Sequence, residues 1–267
     1  FDILGFLKPD ASLELFVGDP LVCLTICCLI ILGGIGFIVT VDLYNWGRKR
    51  VRKEERRPHL TLHTRIVLVS TASLLVLGTV LTLGLEYDHT LKDLNFWEKL
   101  NASFFQSVTA RTAGYATIPQ GELGDATKLV TIILMFIGAS PSSTGGGIKT
   151  TTFVVLVATV VSISRGRDET VINKRRVDKS VVYRAMTIVA MAFLVIAITS
   201  GVIMVTTPPE VSAIDAVYEA VSAFGTVGLT TGLTPDLSIV AKILVMLTMF
   251  IGRVGPISLV LALTMKH

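Results

Sequence analysis

The chain has 267 residues, of which 51% are hydrophobic and 16% charged, and its formal net charge is +4. A soluble domain of this length carries about a quarter charged residues, and here the few charges are bunched into short segments between long uncharged runs. That patterning excludes an ordinary soluble domain and points to a chain that crosses a bilayer several times.

Phe1-Asp2-Ile3-Leu4-Gly5 opens the sequence without an initiator Met and reads as the interior of a longer chain, so N-terminal segments of the same protein are expected ahead of it. The first predicted span covers 20–44. Its cysteines, Cys23, Cys27 and Cys28, have no His or carboxylate at ligand spacing and are read as small apolar helix residues. Residues 47–65 form a basic loop with Arg48, Lys49, Arg50, Arg52, Lys53, Arg56, Arg57 and Arg65, and a second span follows at 65–86. Asn95 to Val108 then shows helical periodicity but is too short and too polar to span, and the glycine-bearing turn Thr112-Ala113-Gly114-Tyr115 comes after it. The next apolar stretch, 125–163, is too long for one span, and its Gly/Ser/Thr-rich middle predicts two half-spans joined by a break near 139–149. A second basic loop at 164–184 carries Arg165, Arg167, Lys174, Arg175, Arg176, Lys179 and Arg184. Then come a span at 181–206, a second short polar helix from Ser212 to Phe224, the turn Thr226-Val227-Gly228-Leu229, and a last span at 237–265.

About 20 apolar residues cross the hydrocarbon core, so this pattern makes five crossings. Most of the 24 Lys and Arg residues sit in the two basic loops. The positive-inside rule therefore places both loops and His267 in the cytoplasm and residue 1 outside, in a multi-pass protein of the plasma (inner) membrane, in contact with lipid and not with nucleic acid. Trp46 and Trp97 fall near interfaces, and Lys128 and Lys242 are expected to snorkel to the outer one.

The two halves repeat. Gly114 and Gly228 are separated by the same distance in sequence as Met135-Phe136-Ile137-Gly138 and Met249-Phe250-Ile251-Gly252, and Ile31-Leu32-Gly33-Gly34 looks like the tail of a further copy. The unit is span, short helix, glycine turn, span. Non-helical backbone is tolerated at membrane depth only where it is buried in protein or lines a water-filled path. A short helix ending at such a turn presents carbonyls and the negative end of its dipole, which stabilise a dehydrated cation. The fold class is thus all-α integral membrane, with repeats of span, re-entrant pore helix, filter loop and span around a cation pore.

Two long motifs carry a family resemblance. One is Thr109-Ala110-Arg111-Thr112-Ala113-Gly114-Tyr115 with Ile137 to Thr151; the other is Phe224 to Gly232 with Phe250-Ile251-Gly252-Arg253-Val254-Gly255-Pro256. On them the chain resembles the Trk/Ktr/HKT superfamily of potassium transporters, most like the C-terminal half of the bacterial Ktr-type membrane subunit. The resemblance implies K+ as the transported ion with no covalent cofactor, and a selectivity filter lined by main-chain carbonyls of Thr112, Ala113, Gly114, Tyr115, Thr226, Val227, Gly228 and Leu229. It implies an intramembrane gate loop of Ala139, Ser140, Pro141, Ser142, Ser143, Thr144, Gly145, Gly146, Gly147, Ile148 and Lys149, and a pore charge at Arg253 that acts as a barrier or pairs with that loop. It further implies a homodimer on a cytosolic ring of nucleotide-binding regulators. Residues 1–64 would be the inner helix of a second repeat plus a basic loop, 65–178 the third pore repeat, and 179–267 the fourth; the first repeat is absent from the sequence in hand.

Arg111 and Glu219 flank the turns and are read as structural charges that pair and tune the short helices. A phosphate-binding loop is disfavoured for the break from Ala139 to Lys149, because Ile148 separates Gly147 from Lys149 and apolar helix, not a strand, precedes it. A membrane-embedded enzyme is the distant alternative. It lacks paired intramembrane carboxylates or a His cluster, with His59, His63 and His89 expected in loops. The nearer alternative is a sodium-permeable or Na+/K+ transporter of the same superfamily.

Overall fold

The computed structural model describes residues 12–52, 59–167, 169–173, 175–207 and 211–255. The stretch before Ser12, part of the first basic loop, Lys174, and everything after Gly255, including Pro256 and His267, lie outside the described residues.

The helices run in chain order α1 (Pro20–Ile35), α2 (Phe37–Val51), α3 (Leu62–Glu86), α4 (Phe96–Thr109), α5 (Asp125–Phe136), α6 (Thr150–Ser164), α7 (Lys179–Thr206), α8 (Ala213–Gly225) and α9 (Ile239–Val254). α3 and α7 are each long and apolar enough to cross a bilayer. Their burial is inverted relative to a water-soluble helix. α3 turns Thr64, Thr71, Thr79 and Thr82 inward and exposes Val69, Val76, Leu77 and Val80. α7 buries Ser200 and Thr199 and exposes Phe193, Leu194 and Ile198. Only a hydrocarbon solvent makes that arrangement favourable, and the inward hydroxyls become interhelical contacts, as in the 2.7 Å bond between Thr199 of α7 and Thr248 of α9.

The short helices form where expected. α4 starts at a capping box in which Asn95 and Glu98 satisfy each other's backbone donors. It nests against α1 and α3, close enough for Ser107 Oγ to donate to Leu75 O at 2.9 Å beside Gly78. α8 is enclosed by α5, α7 and α9. A buried cluster including Met135, Ile148, Tyr218, Phe224 and Val227 joins the two units.

Four expectations need correction. The stretch 20–44 is not one straight span: α1 and α2 meet at 99°. At the joint Gly36 has φ +86° and the Pro141 carbonyl oxygen lies where a β-carbon would go, while Phe37 N, freed by the break, donates to Ser142 O at 3.0 Å. α2 then continues to Val51, so Arg48, Lys49 and Arg50 sit on its last turn, where the helix dipole favours cations, and not in a loop. His63 likewise lies in the first turn of α3, whose N-cap is Thr61. The second basic loop also contains a two-stranded hairpin, β1 (Val171–Ile172) with β2 (Arg175–Arg176), turned at Asn173 with φ +48°. Ser70 of α3 and Arg165 just past α6 line one cavity.

Candidate functional site: two facing turns over a glycine loop

Each short helix ends in a turn that needs left-handed backbone. Thr112 and Gly114 have φ of +69° and +82°, Thr226 and Gly228 of +50° and +93°. Glycine makes such a conformation inexpensive; threonine holds it only under outside constraint. The constraint is visible. Thr109 Oγ1 donates to Tyr115 O at 2.6 Å, and Ser222 Oγ donates to Leu229 O at 2.6 Å, so each short helix pins the far end of its own turn. The turns face each other: a β-carbon on Gly228 would lie 3.7 Å from Gly114 Cα, and one on Gly114 would overlap the Val227 carbonyl oxygen. Among the described residues the carbonyls of Thr112, Ala113, Gly114, Thr226, Val227 and Gly228 accept no hydrogen bond. Beside the turns opens a cavity of about 490 Å³, bordered by Gly114, Gly228, Gln120, Thr230 and Thr231.

The loops that leave the turns are clamped to α8. Gln106 of α4 and Gln120 exchange amide hydrogen bonds of 2.7 and 3.1 Å, and Tyr218 OH donates to Gln120 Oε1 at 2.8 Å. All three side chains are buried. One residue further on, the Glu219 carboxylate accepts from Thr230 Oγ1, from Thr231 N at 3.1 Å and from Thr234 Oγ1 at 3.0 Å. Arg111 does not pair with Glu219; it is buried in a space lined by Ile30, Gly34, Leu75 and Ala139. Lys128 does not snorkel outward either. It is buried and meets Asp215 at 2.8 Å, an ion pair that ties α5 to α8. Lys242 Nζ donates to Pro235 O at 2.8 Å.

Directly against both turns lies the break between α5 and α6, closed by a parallel bridge between Ile137 and Ile148. Gly147 has φ +69°, and the two glycines before it leave no room for a side chain. A β-carbon on Gly145 would overlap Thr112 Oγ1, and one on Gly146 would overlap the side chain of Thr226, whose hydroxyl accepts from Gly146 N at 3.1 Å. Gly147 N donates to Gly252 O at 3.3 Å, Ser140 N to Gly34 O at 3.1 Å, and Ser140 and Thr150 share a hydroxyl bond of 3.0 Å. The break thus binds α1, α9 and the second turn through its backbone groups and packs against Thr112 of the first, which answers how irregular chain is satisfied in the bundle interior. Two cations close on it. Lys149 Nζ donates to Gly145 O at 2.6 Å, and Arg253 Nη1 donates to Thr144 O.

The turns, the break and Arg253 are legible in the sequence. Gln106, Gln120, Tyr218 and the Lys128–Asp215 pair are not. Those residues carry no motif, and only the meeting of distant segments gives them partners.

Long apolar helices that turn their hydroxyls inward and their aliphatic side chains outward define a mostly helical integral membrane protein, in which two short helices end at facing turns. The family described as TrkH, cation transport protein, matches residues 1–267, and the chain belongs to that family. It is 40% identical over 263 residues to the Ktr system potassium uptake protein B of Bacillus subtilis, covering 97% of this chain and 57% of that protein. It is 39% identical over 271 residues to the potassium/sodium uptake protein NtpJ of Enterococcus hirae, covering 100% of this chain and 57% of that one. The crystal structure of the potassium transporter TrkH from Vibrio parahaemolyticus shares the fold, with a TM-score of 0.72 at 19% identity over 97% of this chain and 55% of that one. The chain therefore spans little more than half the length of the relatives it matches.

Proposed function

We propose that this chain supplies part of a potassium-selective pore, with Thr112, Ala113, Gly114, Tyr115 and Thr226, Val227, Gly228, Leu229 forming two sides of the filter. The observation that carries the reading is the pair of facing turns with unpartnered carbonyls, held over a glycine loop that touches both. Carbonyl dipoles in that arrangement replace the hydration shell of a cation. Tyr115 and Leu229 already accept a hydroxyl each, so they anchor the turns. The segment from Ala139 to Lys149 is the gate, and Arg253 latches it through the Thr144 carbonyl.

Residues 1–64, 65–178 and 179–267 serve as successive units of the pore wall, completed by further segments of the same protein. The basic segments face the cytoplasm of a plasma-membrane protein. A homodimer docked on a cytosolic nucleotide-binding ring fits that orientation, and the Ktr system name of a relative supports a multi-component assembly.

The test is rubidium uptake by the full-length parent protein in liposomes, with potassium, sodium and lithium as competitors, beside Gly228→Ser. Good competition by potassium, poor competition by sodium, and loss of that difference in Gly228→Ser are expected. Equal competition by sodium in the parent would move the protein to the sodium-permeable branch. Absence of flux from folded protein, even with its cytosolic partner added, would overturn the pore.

A further inference from the structure

Between α3 and α6 runs a groove of about 340 Å³. Its walls are Leu74, Phe153, Val154, Val157, Ala158 and Val161, and Arg165 and Arg167 stand at its mouth. Of the three wall hydroxyls, Ser70 Oγ donates to Ile66 O at 2.7 Å, Ser162 Oγ accepts from Val171 N at 3.4 Å, and Ser73 is exposed. The rest of the wall between them and the arginines is aliphatic or aromatic. From Phe153 to Arg165 helix α6 rises about 18 Å, close to the depth of one leaflet's hydrocarbon, about 15 Å.

Both arginines are exposed, and among the described residues neither has an ion-pair partner. The nearby carboxylate of Glu169 is already held by Arg176 at 2.8 Å. An aliphatic slot of leaflet depth that ends at two unpaired guanidiniums is complementary to one class of molecule. We infer that this groove binds an anionic glycerophospholipid, with an acyl chain along α6 and the phosphate between Arg165 and Arg167. Guanidinium groups recognise phosphate oxygens in bidentate fashion, and basic pockets between spans are where anionic headgroups lodge. The inner end of the slot, at Phe153, is one helical turn from Lys149, the last residue of the glycine loop. A bound chain would therefore brace α6 where it leaves that loop. The inference needs only the membrane-spanning fold, so it stands or falls separately from the potassium reading.

The experiment is native mass spectrometry of the full-length parent protein titrated with phosphatidylglycerol and, separately, phosphatidylcholine. It compares the parent with Arg165→Gln/Arg167→Gln, with Ala158→Trp to fill the slot, and with Arg48→Gln/Arg50→Gln, which removes equal charge from α2. All are checked for monodispersity by size exclusion. Retained phosphatidylglycerol in preference to phosphatidylcholine is expected in the parent and in the α2 variant. At least a tenfold loss is expected in whichever groove variants remain monodisperse. Equal loss in the α2 variant would reduce the effect to diffuse charge, and unchanged binding in a monodisperse groove variant would place the lipid elsewhere. Either result overturns the site, as does cross-linking of a cysteine at position 158 to a second copy of the chain.

Discussion

At the residue scale the two facing turns are held by side chains that lie outside the turns themselves. Tyr218, Gln120 and Gln106 form one buried knot between the two short helices. Hydrogen bonds inside membrane bundles average only about 0.6 kcal/mol, so Tyr218→Phe should change thermal stability little. It should still relax the spacing between the two turns. Sodium is expected to compete more strongly for rubidium uptake in Tyr218→Phe while the melting temperature stays close to that of the parent, and unchanged competition would reduce the knot to ordinary packing. Arg253 is the opposite case, a charge that reaches the glycine loop directly. Arg253→Ala is expected to raise the initial rate of rubidium uptake because a latch is gone. An unchanged or lower rate in well-folded protein would argue against that role.

At the scale of elements, the glycine loop between α5 and α6 is fitted to both turns at once, so its tolerance for added volume is predictable from contact alone. Gly146→Ala places a methyl group into Thr226 and should lower uptake sharply, whereas Gly201→Ala on α7, where nothing lies within 4 Å, should leave it unchanged. The Lys128–Asp215 pair tests how α5 is fastened to α8. Breaking a buried pair from one side costs about 3–5 kcal/mol, and the low end applies here because Asp215 keeps some exposure. Lys128→Met should therefore lower the thermal midpoint in detergent, and Lys128→Met/Asp215→Leu should recover much of it. A double variant no more stable than the single one would show that the pair contributes by packing and not by charge. These elements were partly legible in sequence: the short helices and the break announced themselves by length, polarity and glycine content. The 99° bend at Gly36 did not, because the apolar run continues through it and its cause, the Pro141 carbonyl, arrives from more than a hundred residues away.

At the scale of the whole molecule, the proposed function makes the two turns two sides of a ring of carbonyls, and the relatives the chain matches are nearly twice as long. The 267 residues expressed alone are expected to give no potassium-selective rubidium flux in liposomes, while the full-length parent does; selective flux from the 267 residues alone would show that copies of this chain complete the ring.

Hydropathy, charge placement and the glycine-bearing motifs by themselves determined that this chain crosses a membrane and where its special backbone lies, because each of those properties is local or periodic and lipid leaves few alternatives. The tertiary structure decided what local pattern cannot carry. Lys128 reads as a snorkelling surface lysine until Asp215 is placed 2.8 Å away. Gln106 reads as a polar helix residue until Gln120 and Tyr218 converge on it. Arg111 and Glu219 look like partners until packing sends one toward α1 and the other to the loop after the second turn. In each case the partner is fixed by which helices pack together, and that choice is made by shape and burial across the assembled bundle.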